Sequence, residues 1–107
     1  MSRDEEPGLE TVFVRSDRMV GRRVADEYIL VPIVGRGANI DAIYNLTRVG
    51  AFIWERLDGR QSGRAIVEAL TDRFDVDRRQ AEEDYRAFLA QLLSIQAIIP
   101  VETGART

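Results

Sequence analysis

The sequence predicts an α+β fold in which an N-terminal antiparallel β-meander precedes three α-helices. Two observations lead to this prediction. The first half of the chain contains short apolar or alternating segments separated by turn residues, whereas the second half contains three segments with apolar residues three and four positions apart. Strands and helices that occupy separate parts of a chain are typical of α+β domains. With 107 residues, the chain is long enough for one domain with its own core.

The first strands are predicted from alternation and from β-branched residues. Residues 11–15 alternate and are predicted as a strand, residues 16–21 as a loop, and residues 22–25 as a second strand. The run YILVPIV, residues 28–34, is apolar throughout, so we expect a strand that is covered on both faces. Pro32 cannot donate a hydrogen bond to a ladder, which predicts a bulge or an unpaired edge at that position.

A turn cluster, residues 35–39, leads to the next strand, 40–46. The cluster lacks the later Gly and the Gly-Lys-Ser/Thr ending of a phosphate-binding loop, so a hairpin is the better interpretation. Within the strand, the alternation places Ile40, Ala42, Tyr44 and Leu46 on one face and Asp41, Ile43 and Asn45 on the other. Ile43 is the apolar exception on its face.

The stretch IYNLTRVGAFIWERLDG, residues 43–59, is interpreted as a strand end, a capped helix and a stop. Thr47 can accept hydrogen bonds from the first free N–H groups of the helix, and Gly59 can end it in a left-handed conformation. Trp54 is the only Trp in the chain, and its apolar neighbours share its helical face. We therefore predict that Trp54 anchors the core rather than a ligand.

Two further helices are predicted from their caps and apolar stripes. Ser62 is the expected N-cap of the second helix, and Asp77, with Gln80 three residues on, has the capping-box spacing for the third. The apolar stripe of the third helix is wider than one core contact requires; it consists of Ala81, Tyr85, Phe88, Leu89, Leu92 and Leu93. Residues 97–101 are predicted as a last short strand or an extended segment.

Composition narrows the classes of function. The chain has no Cys and no His, so thiolate chemistry, zinc–thiolate sites and the usual general base are absent. The acidic triplet Glu82, Glu83 and Asp84 occupies consecutive helical positions, which point in different directions and do not converge. We therefore expect no enzyme, no cofactor and no metal site.

Charge argues against nucleic acid as a partner. Fifteen basic residues, all Arg, oppose eighteen acidic ones, and the net charge of −3 offers no basic face to release counterions from DNA. Three short helices beside a hairpin nevertheless suggest a winged helix-turn-helix shape, so a DNA-binding or protein-interaction domain is the alternative function. No apolar run could span a membrane, and the acidic N-terminal segment lacks an apolar h-region, which argues against a signal peptide, so we expect a cytoplasmic protein. The expected organisation is a disordered arm (1–10), one domain (11–101) and a flexible tail (102–107).

The passage from residue 44 to residue 99 resembles the PqqD family, named for a small protein of pyrroloquinoline quinone biosynthesis. The most specific piece is the Trp-x-x-Leu-Asp-Gly ending of the first helix, and residues 24–33 fit the strand region of the family loosely. Thr47 stands where the family usually has Asn, and Thr can still cap the helix. The matching positions are Leu46, Gly50, Ala51, Ile53, Trp54, Leu57, Asp58, Gly59, Ile66, Leu70, Phe74, Asp75, Asp84, Phe88, Leu89 and Leu92.

The resemblance implies a peptide-recognition domain. Such domains hold the leader segment of a ribosomally made precursor peptide and present it to a modifying enzyme, often a radical SAM protein. The leader is expected to add as a strand to the sheet edge and to lie against the third helix. The implied peptide-binding residues are Ile40, Asp41, Ala42, Ile43, Tyr44, Asn45, Tyr85 and Leu89, whereas Phe88 and Leu92 are expected in the core. An unprotected edge strand would also allow homodimerisation by strand exchange.

Overall fold

The computed structural model describes residues 9–33 and 43–101, in which six strands and three helices occur. The order along the chain is β1 (Val12–Arg15), β2 (Met19–Val24), β3 (Glu27–Pro32), β4 (Tyr44–Leu46), α1 (Arg48–Arg56), β5 (Asp58–Ser62), α2 (Gly63–Arg73), α3 (Arg78–Ser94) and β6 (Ile98–Pro100). The predicted α+β class is confirmed, with antiparallel strands at the N-terminal end followed by three helices.

The strands form two antiparallel sheets of three strands each, in the orders β2-β3-β4 and β5-β1-β6. The first sheet is the predicted meander, in which Val20 lies opposite Val31 and Leu30 opposite Tyr44. Because β4 comes last in this sheet, one of its edges has no neighbouring strand among the described residues. In the second sheet, β1 lies between strands from much later in the chain, β5 and β6.

Three sequence predictions about the strands need correction. The predicted loop 16–21 is wrong because β2 begins at Met19, whose side chain is buried in the core. Strand β5 was missed because its sequence, DGRQS, has no apolar alternation, and its pairing partner β1 is more than forty residues away. The expected coverage of β3 on both faces is also wrong, since only Leu30 is buried and its neighbours along the strand are half-buried or exposed.

Gly59 has the positive φ of 83° that the sequence suggested, but it lies inside β5. Helix α1 ends earlier, at Leu57, whose N–H donates to the carbonyl of Trp54 at 3.2 Å. The predicted role of Gly59 as the helix stop is therefore wrong, whereas its predicted conformation is right.

The three predicted N-caps are confirmed. The side-chain oxygens of Thr47, Ser62 and Asp77 each accept a hydrogen bond from the N–H three residues on, at 2.9, 3.2 and 2.8 Å. Each cap satisfies one of the amide groups that a helix leaves free at its N-terminus, and so fixes where the helix begins.

The core lies where the three helices meet both sheets, and the prediction for Trp54 is confirmed because only 3% of this residue is exposed. Leu9 also packs into the core, and its carbonyl accepts the N–H of Arg64 at 2.8 Å, so the packed domain begins before residue 11. The rest of the predicted arm (1–8), the turn cluster 35–39 and the tail 102–107 lie outside the described residues. None of the helices α1, α2 and α3 has the length and hydropathy that a membrane crossing requires.

Candidate functional site

An open cleft of about 880 Å³ lies between β4 and α3. Its bottom consists of core residues, because Leu30, Ile53 and Leu92 line it and are themselves buried. Its sides are formed by Ile43, Tyr44, Asn45, Leu46, Thr47, Val49, Gly50, Asp84, Ala87, Phe88, Gln91, Ser94 and Ile95. The cleft is therefore mostly apolar, with a few polar side chains along its rim.

Strand pairing holds the β4 side of the cleft in place. Tyr44 lies opposite Leu30 and Leu46 lies opposite Tyr28, so both share the sheet face that points to the core. Asn45 lies opposite Ile29, on the other face. Successive side chains of a strand alternate between faces, and residues from both faces of β4 line the cleft.

The N-terminus of α1 brings the helix close to α3. A side chain at Gly50 would place its Cβ 3.4 Å from Cε1 of Phe88, and Thr47, the N-cap, is in contact with the same position. The ring of Phe88 therefore lies against the first turn of α1. Gly50 and Ala51, the Gly-Ala pair that supported the family resemblance, are both buried, so the pair has a packing role.

Helix α3 has two adjacent faces with different roles. Ala81, Tyr85, Leu89 and Leu92 are buried against the core. Asp84, Ala87, Phe88 and Gln91, spaced three and four residues apart, line the cleft instead. Leu92 belongs to both faces.

The expected outward position of Tyr85 and Leu89 is wrong, because each is only 2% exposed. Phe88, which was expected in the core, is half-buried and lines the cleft, whereas Leu92 is in the core as expected. Asp84, Ala87 and Gln91 also line the cleft, and they were not predicted as binding residues. The only signal for a second face was the excess width of the apolar stripe on this helix.

On the opposite wall, the structure brings together three of the residues that the resemblance implied. Ile43, Tyr44 and Asn45 line the cleft, with exposed fractions of 48% for Ile43 and 37% for Tyr44. Ile40, Asp41 and Ala42 lie outside the described residues. Large apolar side chains that are exposed beside a sheet edge indicate a surface suited to a partner.

Asp84 is the one ionisable carboxylate in the described wall of the cleft. Its Oδ1 accepts a hydrogen bond from Nε2 of Gln80 at 3.0 Å. The amide of Gln80 therefore reaches forward to Asp84, so the reciprocal half of the predicted capping box is replaced by this bond. No group of three metal-ligating side chains occurs in residues 9–33 and 43–101.

Tyr85, on the core face of α3 behind the cleft, is the ionisable residue that burial affects most clearly. Desolvation raises the pKa of its hydroxyl to about 12, and this hydroxyl has no hydrogen-bond partner in the described structure. The side chain is packed against Gly63, where an added Cβ would lie 2.8 Å from the hydroxyl. Tyr85 therefore supports the wall of the cleft from the core side.

These features define a small α+β domain with an open, mostly apolar cleft between a sheet edge and a helix. The chain belongs to the PqqD family: the family model for coenzyme PQQ synthesis protein D matches residues 27–98. No curated protein matches the chain.

Two solved structures resemble the chain. One is TbiB1 in complex with the TbiA(beta) leader peptide, at 28% identity and a TM-score of 0.65, covering 79% of this chain and 93% of that one. The other is a lasso peptide synthetase B1 complexed with the leader peptide, at 22% identity and a TM-score of 0.68, covering 83% and 99%. The second likeness shows the fold alone.

Proposed function

We propose that this chain binds the leader segment of a precursor peptide in the cleft between β4 and α3 and presents it to a modifying enzyme. The observation that carries the proposal is the position of the cleft beside the free edge of β4, with exposed Ile43 and Tyr44 at its rim. A peptide that adds to this edge gains main-chain hydrogen bonds from β4 and side-chain contacts from α3. TbiB1, to which this chain is similar at 28% identity, forms a complex with a leader peptide, which supports a leader peptide as the ligand.

The dimensions of the cleft fit a short extended segment. Its α3 wall runs from Asp84 to Ile95, which corresponds to about 16 Å of helix at a rise of 1.5 Å per residue. An extended peptide rises about 3.3 Å per residue, so about five residues cover this length. Two or three of them would direct side chains into the cleft, because a strand beside β4 continues the pleat of the sheet.

The proposed role in the pathway is non-catalytic. The cleft wall contains one carboxylate and no pair of groups that could act together as acid and base, and the chain has no His or Cys. The chemistry would belong to the enzyme that receives the peptide, with a radical SAM protein as the proposed partner from the family resemblance. A second copy of the chain is a competing occupant of the free β4 edge.

The test is a matched pair of variants on α3. Ala87 is exposed and lines the cleft, whereas Ala90 is exposed on the same helix and does not line it. Ala87→Trp should fill the cleft and lower peptide affinity at least tenfold, while Ala90→Trp, which adds the same bulk, should leave affinity unchanged. The ligands are fluorescein-labelled 20-residue peptides tiled across the short reading frames that neighbour the gene, measured by fluorescence anisotropy.

Two results would overturn the proposal. Equal affinity of the parent and both folded variants would place binding outside the cleft. If no tiled peptide binds, and gel filtration shows a dimer that Ala87→Trp alone dissociates, then the cleft is occupied by a second copy of the chain and not by a leader.

A further inference from the structure

We infer that the cleft selects a leader segment that carries a Lys or Arg positioned to pair with Asp84. This inference rests on the proposed function and adds the chemical class of one side chain of the ligand. Apolar contacts alone would accept many extended peptides, whereas a single charge in an apolar cleft discriminates between them.

The surroundings of Asp84 support a cationic partner. Its side chain is half-buried in the cleft wall, beside Phe88 one turn further along α3. The other polar groups of this wall, on Gln91 and Ser94, are neutral. A bound peptide would remove water from the carboxylate, and this desolvation costs free energy unless an opposite charge or hydrogen-bond donors replace the water.

Unlike Asp84, the neighbouring acidic residues on α3 form ion pairs within the chain. Glu82 is paired with Arg78 at 3.1 Å, and Glu83 with Arg79 at 3.7 Å. Asp84 forms no ion pair with any described residue, and its Oδ1 accepts a hydrogen bond from the neutral amide of Gln80. Residues 9–33 and 43–101 thus leave its charge without a cationic partner, and Oδ2 can receive one from a ligand.

The held geometry of the carboxylate favours this role. The hydrogen bond from Gln80 Nε2 to Oδ1, at 3.0 Å, favours one orientation of the Asp84 side chain before a ligand binds. Gln80 itself lies in the first turn of α3, where the N-cap Asp77 accepts its N–H at 2.8 Å. Gln80 therefore connects the N-cap Asp77, through its main-chain N–H, with Asp84, through its side-chain amide.

The experiment is a selection with random peptides. A displayed library of 12-residue peptides is panned against the full chain, against Asp84→Asn and against Glu83→Gln. Asp84→Asn keeps an oxygen that can accept from Gln80 but removes the charge. Glu83→Gln changes the net charge by the same amount on the solvent side of the helix, and so it controls for general electrostatics.

The parent chain and Glu83→Gln should both enrich peptides with alternate apolar residues and a Lys or Arg at a fixed distance from them. Asp84→Asn should retain the apolar alternation and lose the basic preference. For one selected peptide, the change of Lys to norleucine should weaken binding to the parent about tenfold, and binding to Asp84→Asn by less than twofold.

The outcomes separate the inference from the proposed function. If apolar peptides are enriched without a basic preference, and Asp84→Asn binds them as tightly as the parent, the proposed function stands and the inference about Asp84 is wrong. If no peptide is enriched by the parent, the proposed function itself fails. Should Asp84→Asn not fold, the Lys and norleucine peptides are compared on the parent chain at 50 and 500 mM salt. Equal affinities there would also refute the inference.

Discussion

Removal of the Tyr85 hydroxyl tests whether the core behind the cleft is as dry as the structure indicates. This hydroxyl is buried without a hydrogen-bond partner in the described structure and lies against Gly63. A buried polar group without a partner costs about 1–3 kcal/mol of stability. Tyr85→Phe removes this cost and keeps the ring, so the free energy of unfolding at pH 7 should stay the same or rise by up to about 2 kcal/mol.

The pH dependence of stability gives a second, independent measure. Tyr85 has a pKa of about 12 in the folded chain, against about 10 in an unfolded chain. Because the folded value is higher, the unfolded state loses its proton first, and stability falls as the pH rises from about 10 to about 12. Two pKa units correspond to about 3 kcal/mol, so the parent should lose roughly that amount across this window.

The composition of the chain allows the loss of stability between about pH 10 and pH 12 to be assigned to Tyr residues. The sequence has no Lys and no Cys, and Arg keeps its proton, so these side chains do not obscure the titration of Tyr85. Burial, and then the charge of Glu55, also raises the pKa of Tyr28, which should leave a smaller decline in Tyr85→Phe. Urea unfolding at pH 9, 10.5 and 12, followed by Trp54 fluorescence, measures both curves.

Two outcomes would refute this reasoning about Tyr85. A loss of more than about 1 kcal/mol in Tyr85→Phe at pH 7 would mean that the hydroxyl has a hydrogen-bond partner. The same alkaline decline in the variant and the parent would assign the titration to another Tyr. Peptide affinity should not change in either case, because Tyr85 lies on the core face of α3 and outside the cleft lining.

Two further predictions concern the packing around Trp54. Trp54→Ala should cost about 3–5 kcal/mol, since it removes a buried large aromatic ring; an unchanged urea midpoint would contradict its place in the core. Gly21→Ala should cost about 1–3 kcal/mol, because the new Cβ would lie 2.6 Å from Nε1 of Trp54 and 2.7 Å from the hydroxyl of Tyr28. A thermal melt tests the second variant, and Arg22→Ala on the exposed part of the same strand is its control, with less than about 0.5 kcal/mol expected.

Local chemistry explains why the helices could be predicted from the sequence. The caps Thr47, Ser62 and Asp77 act within three residues of themselves, so the sequence alone contains both partners of each bond. Strand β5, in contrast, depends on a partner that is distant in the sequence. Its five residues are polar or Gly, and they become a strand because β1 offers a free ladder after α1 ends.

The sequence could not predict which face of α3 is buried in the core. Both Tyr85 with Leu89 and Phe88 with Leu92 have helical spacing, so periodicity allowed either pair to face the core. In the structure Tyr85, Leu89 and Leu92 are buried, whereas Phe88 lines the cleft and lies against Gly50, 38 positions away in the chain. Sequence reasoning could find the helix and its excess apolar width, but not the rotation of the helix about its axis.

The two faces of α3 also separate stability from recognition. Substitutions at buried Tyr85 or Leu89 act on the free energy of unfolding, because these side chains contact the core. Substitutions at Asp84, Ala87 or Gln91 act on the surface of the cleft, where changes away from the core usually alter stability by less than about 0.5 kcal/mol. Phe88 is the exception, since it lines the cleft and also packs on α1. Under the proposed function, the same fold could therefore accept new peptides through the exposed positions of one helix, while the caps and the core face keep that helix in place.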